Sequence, residues 1–410
     1  MAHRGMVSTS VKPTAPAVSS PLKHGEVGAL VVGGDYQGLG IVRSLGRQGV
    51  PVCVVDDEYS IARFSRYATR AFKAKALRDE RNAVSTLLQL GRKAGLEGWV
   101  LYPTRDEQVA AFSRYRAELS QFFRVPTPEW GSVQWAWDKR NTYRLAKDLG
   151  IPTPANCFLD SQGFKGCDFS PPFVLKPAVK EHFIYATKAK AWKADNRKEL
   201  EALISKASRF MDPSELIVQE VIPGGGDQQF AYCAFFRDGK AVGSMVAKRR
   251  RQHPLQFGRA STYVESVEIP IVEELSQRFL RDIDYYGLVE VEYKLDPRDG
   301  KYKLLDVNAR TWGYHSMGAA VGVDFSHMLY CDQIGLPVES SRGQAGIGWI
   351  RMTTDLPAAV SAFIGKDLDF RTYLRSLKRC TSDAVFASDD PLPGLAEILF
   401  IPYLAVKRGF

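Results

Sequence analysis

Five polar side chains stand at strand spacing late in the chain. Glu290 and Glu292 sit in an apolar run over residues 288–293, and Asp306, Asn308 and Arg310 sit in a second run over residues 302–310. In a strand, residues i and i+2 point the same way, so each set shares a face. The intervening Asp296-Pro297-Arg298-Asp299-Gly300 is turn chemistry. Pairing of the two runs as a hairpin would bring Glu292, Asp306 and Asn308 together. Three oxygen donors beside a guanidinium suit Mg²⁺ carrying a nucleotide polyphosphate, which points to phosphoryl transfer. Glu290 is a fourth donor or a salt-bridge partner. The competing reading is a solvated hairpin face with no metal.

The rest of the chain supplies the elements that must position these groups. Residues 27–32 read as a strand leading into Gly33-Gly34-Asp35-Tyr36-Gln37-Gly38-Leu39-Gly40, then a helix to about residue 48 and a second strand over 51–55 ending at Asp56-Asp57. This order opens a doubly wound α/β domain. The glycine spacing is not GxGxxG, so the dinucleotide fingerprint is absent and hydride chemistry is disfavoured. A strand over 99–102 ends in Pro103-Thr104-Arg105-Asp106-Glu107, which opens a helix to about residue 119. Ligands bind at strand ends in such sheets, making Thr104, Arg105 and Asp106 candidate substrate contacts. A helix cap with acids complementing the dipole accounts for them equally well.

Further along, 138–150 is an amphipathic helix stopped by Gly150, and 151–154 is an extended linker. Residues 172–176 form a strand ending in Lys176-Pro177, with 184–193 as its possible partner carrying Lys188, Lys190 and Trp192 on one face. A helix is expected over 199–210. A strand over 216–222 runs into the hinge-like Pro223-Gly224-Gly225-Gly226-Asp227. A hairpin over 230–248, a mobile basic loop over 249–262 and a helix over 273–285 follow.

Composition sets outer bounds. The 410 residues are 45% hydrophobic, enough for two or three domains with a large core. A net charge of +9 favours anionic ligands. The basic residues are dispersed and match no nucleic-acid recognition motif, so that class is excluded. Cys53, Cys157, Cys167, Cys233, Cys331 and Cys380 form no close pair, which argues against a zinc knuckle or a disulfide framework and for a reducing cytoplasm. Residues 1–26, rich in Ser, Pro and Ala, read as a disordered tail rather than a signal peptide. No apolar run reaches the ~20 residues of a membrane span. The apolar stretch 394–406, with Lys407-Arg408 after it, is expected to dock on the core or to contact a membrane surface or partner.

In chain order, Trp137-Asp138-Lys139-Arg140, Phe173-Val174-Leu175-Lys176-Pro177, Gln219-Glu220-Val221-Ile222-Pro223-Gly224 with Asp227, then Glu292, then Asp306-Val307-Asn308-Ala309-Arg310 form a series. This series resembles the ATP-grasp superfamily over residues 27–324, most specifically over 138–310. Within it, the chain resembles carboxylate–amine ligases, the group around D-aspartate ligases and carbamoyl-phosphate-synthase-like domains. The resemblance implies an α/β protein: an N-terminal doubly wound, Rossmann-like pre-ATP-grasp domain over 27–130, a two-lobed α+β ATP-grasp domain over 131–340, and an extension over 341–410 packed on the core.

It also implies site roles and cofactors, ATP with Mg²⁺ or Mn²⁺. Lys176 would hold an ATP phosphate, and Lys139 is either a second phosphate contact or an exposed helix lysine. Glu220, Val221 and Ile222 would line the adenine, Glu220 accepting from its amino group, and Asp227 would take the ribose hydroxyls. Glu292, Asp306 and Asn308 would ligate the metal, with Arg310 over the transferring phosphoryl group or a developing oxyanion. Lys248 and Arg259 would close over the phosphates from the basic loop. The chain departs from the pattern where a glycine-rich phosphate loop is replaced by Val179-Lys180-Glu181-His182-Phe183-Ile184-Tyr185. Lys188 or, preferably, Lys190 would then supply the missing contact. A second departure is Asp306, where glutamate is commoner. The implied reaction joins a small-molecule carboxylate and an amine through an acyl phosphate. The alternatives are a biotin-carboxylase-like enzyme, for which no residue speaks, and a nucleotide-binding regulatory protein without turnover.

Overall fold

The computed structural model describes residues 22–159, 167–187, 189–253 and 260–408. Residues 1–21 of the expected tail, Lys188 and Arg259 lie outside the described residues.

Strands β1 (Ala29–Val32), β2 (Val52–Asp56), β3 (Arg70–Lys73) and β4 (Val100–Pro103) form a parallel sheet in the order β3-β2-β1-β4. β1 is apolar along its length rather than alternating, as a strand covered on both faces must be. The expected Rossmann-like arrangement is present. Gly33 sits at φ +95°, and a Cβ there would lie 2.1 Å from Thr104 Oγ1, so this turn requires glycine. The acids ending β2 are occupied by the protein itself. Asp56 accepts from the Gly34 backbone N–H at 2.6 Å, and Arg105 pairs with Asp56 at 2.9 Å and Asp57 at 2.8 Å. Thr104 Oγ1 donates to Val32 O at 2.8 Å. Thr104 and Arg105 therefore brace the sheet.

A small antiparallel sheet follows in the order β5-β8-β6-β7, built from β5 (Asn156–Phe158), β6 (Phe173–Pro177), β7 (Trp192–Ala194) and β8 (Leu216–Glu220). Two expectations are corrected here. Most of 184–193 is not strand: a helix spans Lys180–Thr187 and only Trp192–Ala194 pairs with β6. The helical turn lets buried Phe183 meet Trp192 edge to face, with ring centroids 4.7 Å apart, closing the small core. Cys157 and Cys167, ten residues apart, are joined as a disulfide with Cα atoms 5.6 Å apart, where the sequence spacing suggested free thiols.

The largest sheet runs β13-β12-β9-β10-β11-β15-β16, with β14 beside β10. Its strands are β9 (Gln229–Arg237), β10 (Lys240–His253), β11 (Ala260–Val267), β12 (Gly287–Asp296), β13 (Lys301–Asn308), β14 (Ser341–Arg342), β15 (Gly348–Ile350) and β16 (Cys380–Asp383). The expected mobile loop is corrected at both ends: β10 and β11 stay paired out to His253 and Ala260. The basic run is ordered because its charges are met. Arg249 faces Glu292, Arg250 donates to Glu265 at 2.7 Å, and Arg251 donates to buried Asp355 at 2.8 Å.

One apolar cluster passes from β1, β2 and the helix Tyr36–Arg47 into β9, β10, Trp312 and Trp349. The first sheet and the largest sheet thus share a core. That shared core sets the N-terminus of the helix Asp106–Arg114 against the end of β13.

Candidate active site

The expected hairpin forms and brings the acidic faces together. Glu290 lies opposite Asn308 and Glu292 opposite Asp306. The register then slips, with Tyr293 opposite Leu304, so Leu305 is an extra residue next to Asp306. Such a bulge turns the local strand and re-aims its side chains. The Leu305 carbonyl accepts from Tyr143 Oη at 2.8 Å, which ties the bulge to the helix Lys139–Asp148.

Asn308 holds the acids together. Its Nδ2 donates to Glu290 Oε2 at 3.0 Å and to Glu292 Oε1 at 2.9 Å. Tyr314 donates to the other Glu290 oxygen at 2.6 Å. Burial, then repulsion from Glu292, raises Glu290 to about 7.

Cations surround this acidic edge from three elements. Asp138 caps the helix Lys139–Asp148 by accepting from Arg140 N, which turns buried Lys139 inward to meet Asp306 at 3.0 Å. Lys180, at the start of its helix, donates to Asn308 Oδ1 at 2.8 Å and lies 3.0 Å from Asp106 and 3.9 Å from Asp306. Arg310 donates through Nε to Asp106 Oδ1 at 3.0 Å. Burial opposes the charge on Asp306, but Lys139 and Lys180 outweigh it and hold the carboxyl down to about 2. Lys176, at the end of β6, donates to Tyr143 Oη, which also accepts from Gln219 Nε2 at 3.1 Å. Burial lowers Lys176 to about 8 against the pull of Asp306 and Glu292. A buried ammonium with a depressed pKa gains most from an anionic ligand.

The donor set fits a hard divalent cation. It is all oxygen, and Glu290 and Glu292 oppose one another across an amide, a repulsion that such an ion relieves. Among the described residues, Glu290, Glu292 and Asp306 do not all lie within 4.8 Å of one another.

Other anticipated residues are placed differently. Glu220 accepts from Ala155 N at 2.9 Å, from Arg298 at 2.7 Å and from Lys303 at 3.3 Å, so both of its oxygens already have partners within the protein. Val221 N donates to Pro172 O at 3.2 Å, and the buried Ile222 accepts at its carbonyl from Lys294 at 2.9 Å. Asp227 is exposed in the turn Gly226–Gln228 and accepts from Gln228 at 3.2 Å. Lys248 lies over the Phe230 ring at 5.2 Å. Its neighbour Arg249, on the opposite strand face, reaches Glu292 at 3.7 Å. Lys190 is exposed as a residue, while crowding of its ammonium lowers it to about 8 against the pull of Glu292. Trp192 takes Lys206 over its ring at 4.7 Å.

Sequence reasoning missed Lys180, Tyr143 and Tyr314. Lys139 and Tyr143 are four apart on an amphipathic helix, a visible signal that they share a face. Lys180 was hidden because its segment read as a displaced loop. Asp106 was visible as a strand-end acid but could not be told from a helix cap.

No family model matches the chain. It is similar to D-aspartate ligase from Enterococcus faecium (strain Aus0004), with 22% identity over 298 residues, 68% of this chain and 70% of that protein. Among solved structures, it superposes on the biotin carboxylase domain of Hydrogenobacter thermophilus 2-oxoglutarate carboxylase, bound to MgADP, ADP and bicarbonate. That TM-score is 0.62 at 15% identity, covering 78% of this chain and 73% of that one. It also superposes on L-amino acid ligase from Bacillus licheniformis with a TM-score of 0.59 at 16% identity, covering 78% of each chain. At these identities the structures establish a shared fold.

Proposed function

We propose that this chain, which has the ATP-grasp fold and is similar to D-aspartate ligase, is an ATP-dependent carboxylate–amine ligase. The observation that carries the reading is the junction where Asp306 meets Lys139 and Lys180 while Asn308 bridges Glu290 to Glu292. Lys176, Lys139 and Lys180 are placed to hold a polyphosphate as point charges. Glu292, Asp306 and Asn308, with Glu290 beside them, would hold Mg²⁺ or Mn²⁺, which neutralises phosphate charge when bound.

In the proposed reaction, a carboxylate oxygen of the first substrate attacks the γ-phosphorus of ATP. The bond to the bridging oxygen breaks and ADP leaves. A neutral amine then attacks the acyl carbon of the acyl phosphate, phosphate departs, and the amine nitrogen loses a proton to leave an amide. Carboxylates resist amines because hydroxide leaves poorly, and phosphate removes that obstacle. The protein's part is positioning and charge stabilisation. Arg310, held by Asp106, is placed to stabilise charge on the transferring group or on the tetrahedral oxyanion.

A second reading, a nucleotide-binding protein without turnover, draws on the helix Lys180–Thr187 standing where a glycine-rich phosphate loop is usual. Phosphate release from Mg·ATP, measured with pooled amino acids and small carboxylates for the wild type and Asp306→Ala, separates the two. Substrate-dependent release lost in the variant supports the ligase. ATP binding with no release from any pool supports the second reading.

A further inference from the structure

Away from the acidic hairpin, His24, His327 and Cys331 bring Nε2, Nε2 and Sγ within 4.8 Å of one another. His327 and Cys331 lie four residues apart on the helix Phe325–Gln333 and so share a face. His24 comes from the segment preceding β1. That segment is fastened to the same helix: Leu22 N donates to Ile334 O at 3.2 Å, Gly25 N donates to Tyr330 Oη at 3.3 Å, and Tyr330 Oη donates to Val27 O.

The distances have the dimensions of a coordination sphere. His24 Nε2 to His327 Nε2 is 3.1 Å, and Cys331 Sγ to His327 Nε2 is 3.5 Å. A tetrahedral zinc with Zn–N of about 2.0–2.1 Å and Zn–S of about 2.3 Å sets adjacent ligand atoms roughly 3.3–3.6 Å apart. Hydrogen bonding satisfies the arrangement less well. An imidazole nitrogen carries one proton or one lone pair, so His327 Nε2 can make one good hydrogen bond to the two groups it faces. A shared cation satisfies all three atoms at once.

We propose that His24, His327 and Cys331 form a Zn²⁺ site that clips the N-terminal segment to the helix Phe325–Gln333, with water completing the sphere. Two imidazoles and a thiolate suit a borderline ion such as Zn²⁺ rather than Mg²⁺. Binding deprotonates Cys331: the S–H bond breaks, an Sγ–metal bond forms, and one proton is released to solvent.

The test uses the full chain, stripped with a chelator and titrated with Co²⁺ as the optical probe. The expected result is one equivalent bound with a thiolate-to-cobalt charge-transfer band, which the oxygen-only acidic site cannot produce. Cys331→Ser should abolish the band. His24→Ala, at an exposed position whose loss leaves the helix intact, should weaken binding by at least about tenfold, the lower end of what losing even a supporting partner costs. Nucleotide-dependent phosphate release should be unchanged in His24→Ala. Absence of the band in the wild type, or its persistence in Cys331→Ser, would overturn the site. Unaltered affinity in His24→Ala would do the same.

An independent observation concerns the C-terminal helices. All but five of the exposed large apolar side chains among the described residues lie between Leu356 and Tyr403. They recur at i, i+4 on three helices: Val360 and Ile364 on Met352–Ile364, Phe370 and Leu374 on Phe370–Lys378, and Leu395 and Leu399 on Leu392–Arg408. Ile364 and Leu399 are 80% and 78% exposed. Exposed Lys366, Arg371, Arg375 and Lys378 lie on or just before the helix Phe370–Lys378, with two exposed acids, Asp367 and Asp369, among them. Exposed apolar stripes, one of them with a basic flank, match an anionic lipid surface in both hydrophobicity and charge. Among the described residues, no helix is long and apolar enough to cross a membrane. We infer that these helices dock the protein on an anionic bilayer surface.

Sedimentation with phosphatidylcholine vesicles, with and without phosphatidylserine, tests this. The full chain should pellet with the anionic vesicles only, release as salt rises, and bind at least about tenfold less after Leu395→Glu with Leu399→Glu. Equal pelleting with neutral vesicles would overturn it, as would no pelleting, or a dimer in solution that the double variant makes monomeric.

Discussion

Asp106 and Arg310 are 204 residues apart in sequence and meet through a 3.0 Å hydrogen bond from Arg310 Nε to Asp106 Oδ1. The first residue of a strand-end helix in the N-terminal sheet thereby holds the arginine that ends the acidic hairpin. Lys180 lies 3.0 Å from the same carboxylate. Burial would raise Asp106, but Arg310 and Lys180 hold it far below the usual carboxylate range. One acid thus orients two cations at the place where the three sheets' elements converge.

Asp106→Asn keeps the shape and removes the charge. Turnover should fall on the order of 10²-fold because Arg310 and Lys180 lose their orientation. ATP affinity should hold or improve, since a negative charge near the phosphates is gone. Steady-state kinetics paired with calorimetric ATP binding check the split. Parallel loss of both would mean that Asp106 is needed for the fold of the site rather than for aiming it.

Lys176→Met should weaken ATP binding by roughly 10–100-fold, since a hydrogen bond to a charged group contributes about 1.5–3 kcal/mol. The fold should survive, because the methionine fills the volume and Tyr143 keeps its bonds to Leu305 and Gln219. Binding isotherms together with a thermal melt test this.

The pH dependence of ATP binding follows from the same lysine. In the free protein Lys176 sits at about 8, and a bound polyphosphate favours its charged form. Affinity should therefore be full below pH 8 and fall above it by up to about tenfold per pH unit. Lys176→Met should flatten that slope. A wild-type affinity constant from pH 7 to pH 9.5 would contradict the assignment.

Glu290 gives a second pH signature. Burial and the neighbouring Glu292 raise its folded pKa to about 7, above the ordinary glutamate value of 4.5. Its contribution to stability is then complete below about pH 4.5 and is lost as pH rises through 7. Without divalent cations the melting temperature should decline between pH 5 and 8, and Mg²⁺ should restore it at the upper end. Glu290→Gln should remove this component. Superimposable melting profiles for the two proteins would show that the carboxyl is not strained.

Much of this was legible in the chain because the signals were local. Period-2 alternation put Glu290 and Glu292 on one face and Asp306 and Asn308 on another, and the strand–glycine turn–helix–strand order announced the doubly wound sheet, while the pairing of Glu290 with Asn308 and Glu292 with Asp306 came from the structure. Tertiary packing decided the rest. The segment expected to be a strand became a helix in which Phe183 meets Trp192, and Lys180 at its start reaches Asn308. Partners distant in sequence ordered Arg249, Arg250 and Arg251 in a strand where charge alone suggested a loop. The bulge at Leu305 has no composition cue, yet it sets the direction of Asp306.

The central claim is amide formation driven by ATP. The most direct measurement is mass spectrometry of reactions containing the full chain, Mg·ATP and pooled amino acids with small carboxylates. The account predicts a product whose mass is the sum of one carboxylate and one amine less water, formed with equimolar ADP and phosphate and absent with Asp306→Ala. ADP and phosphate produced with no such condensed product in any amine-containing pool would contradict it.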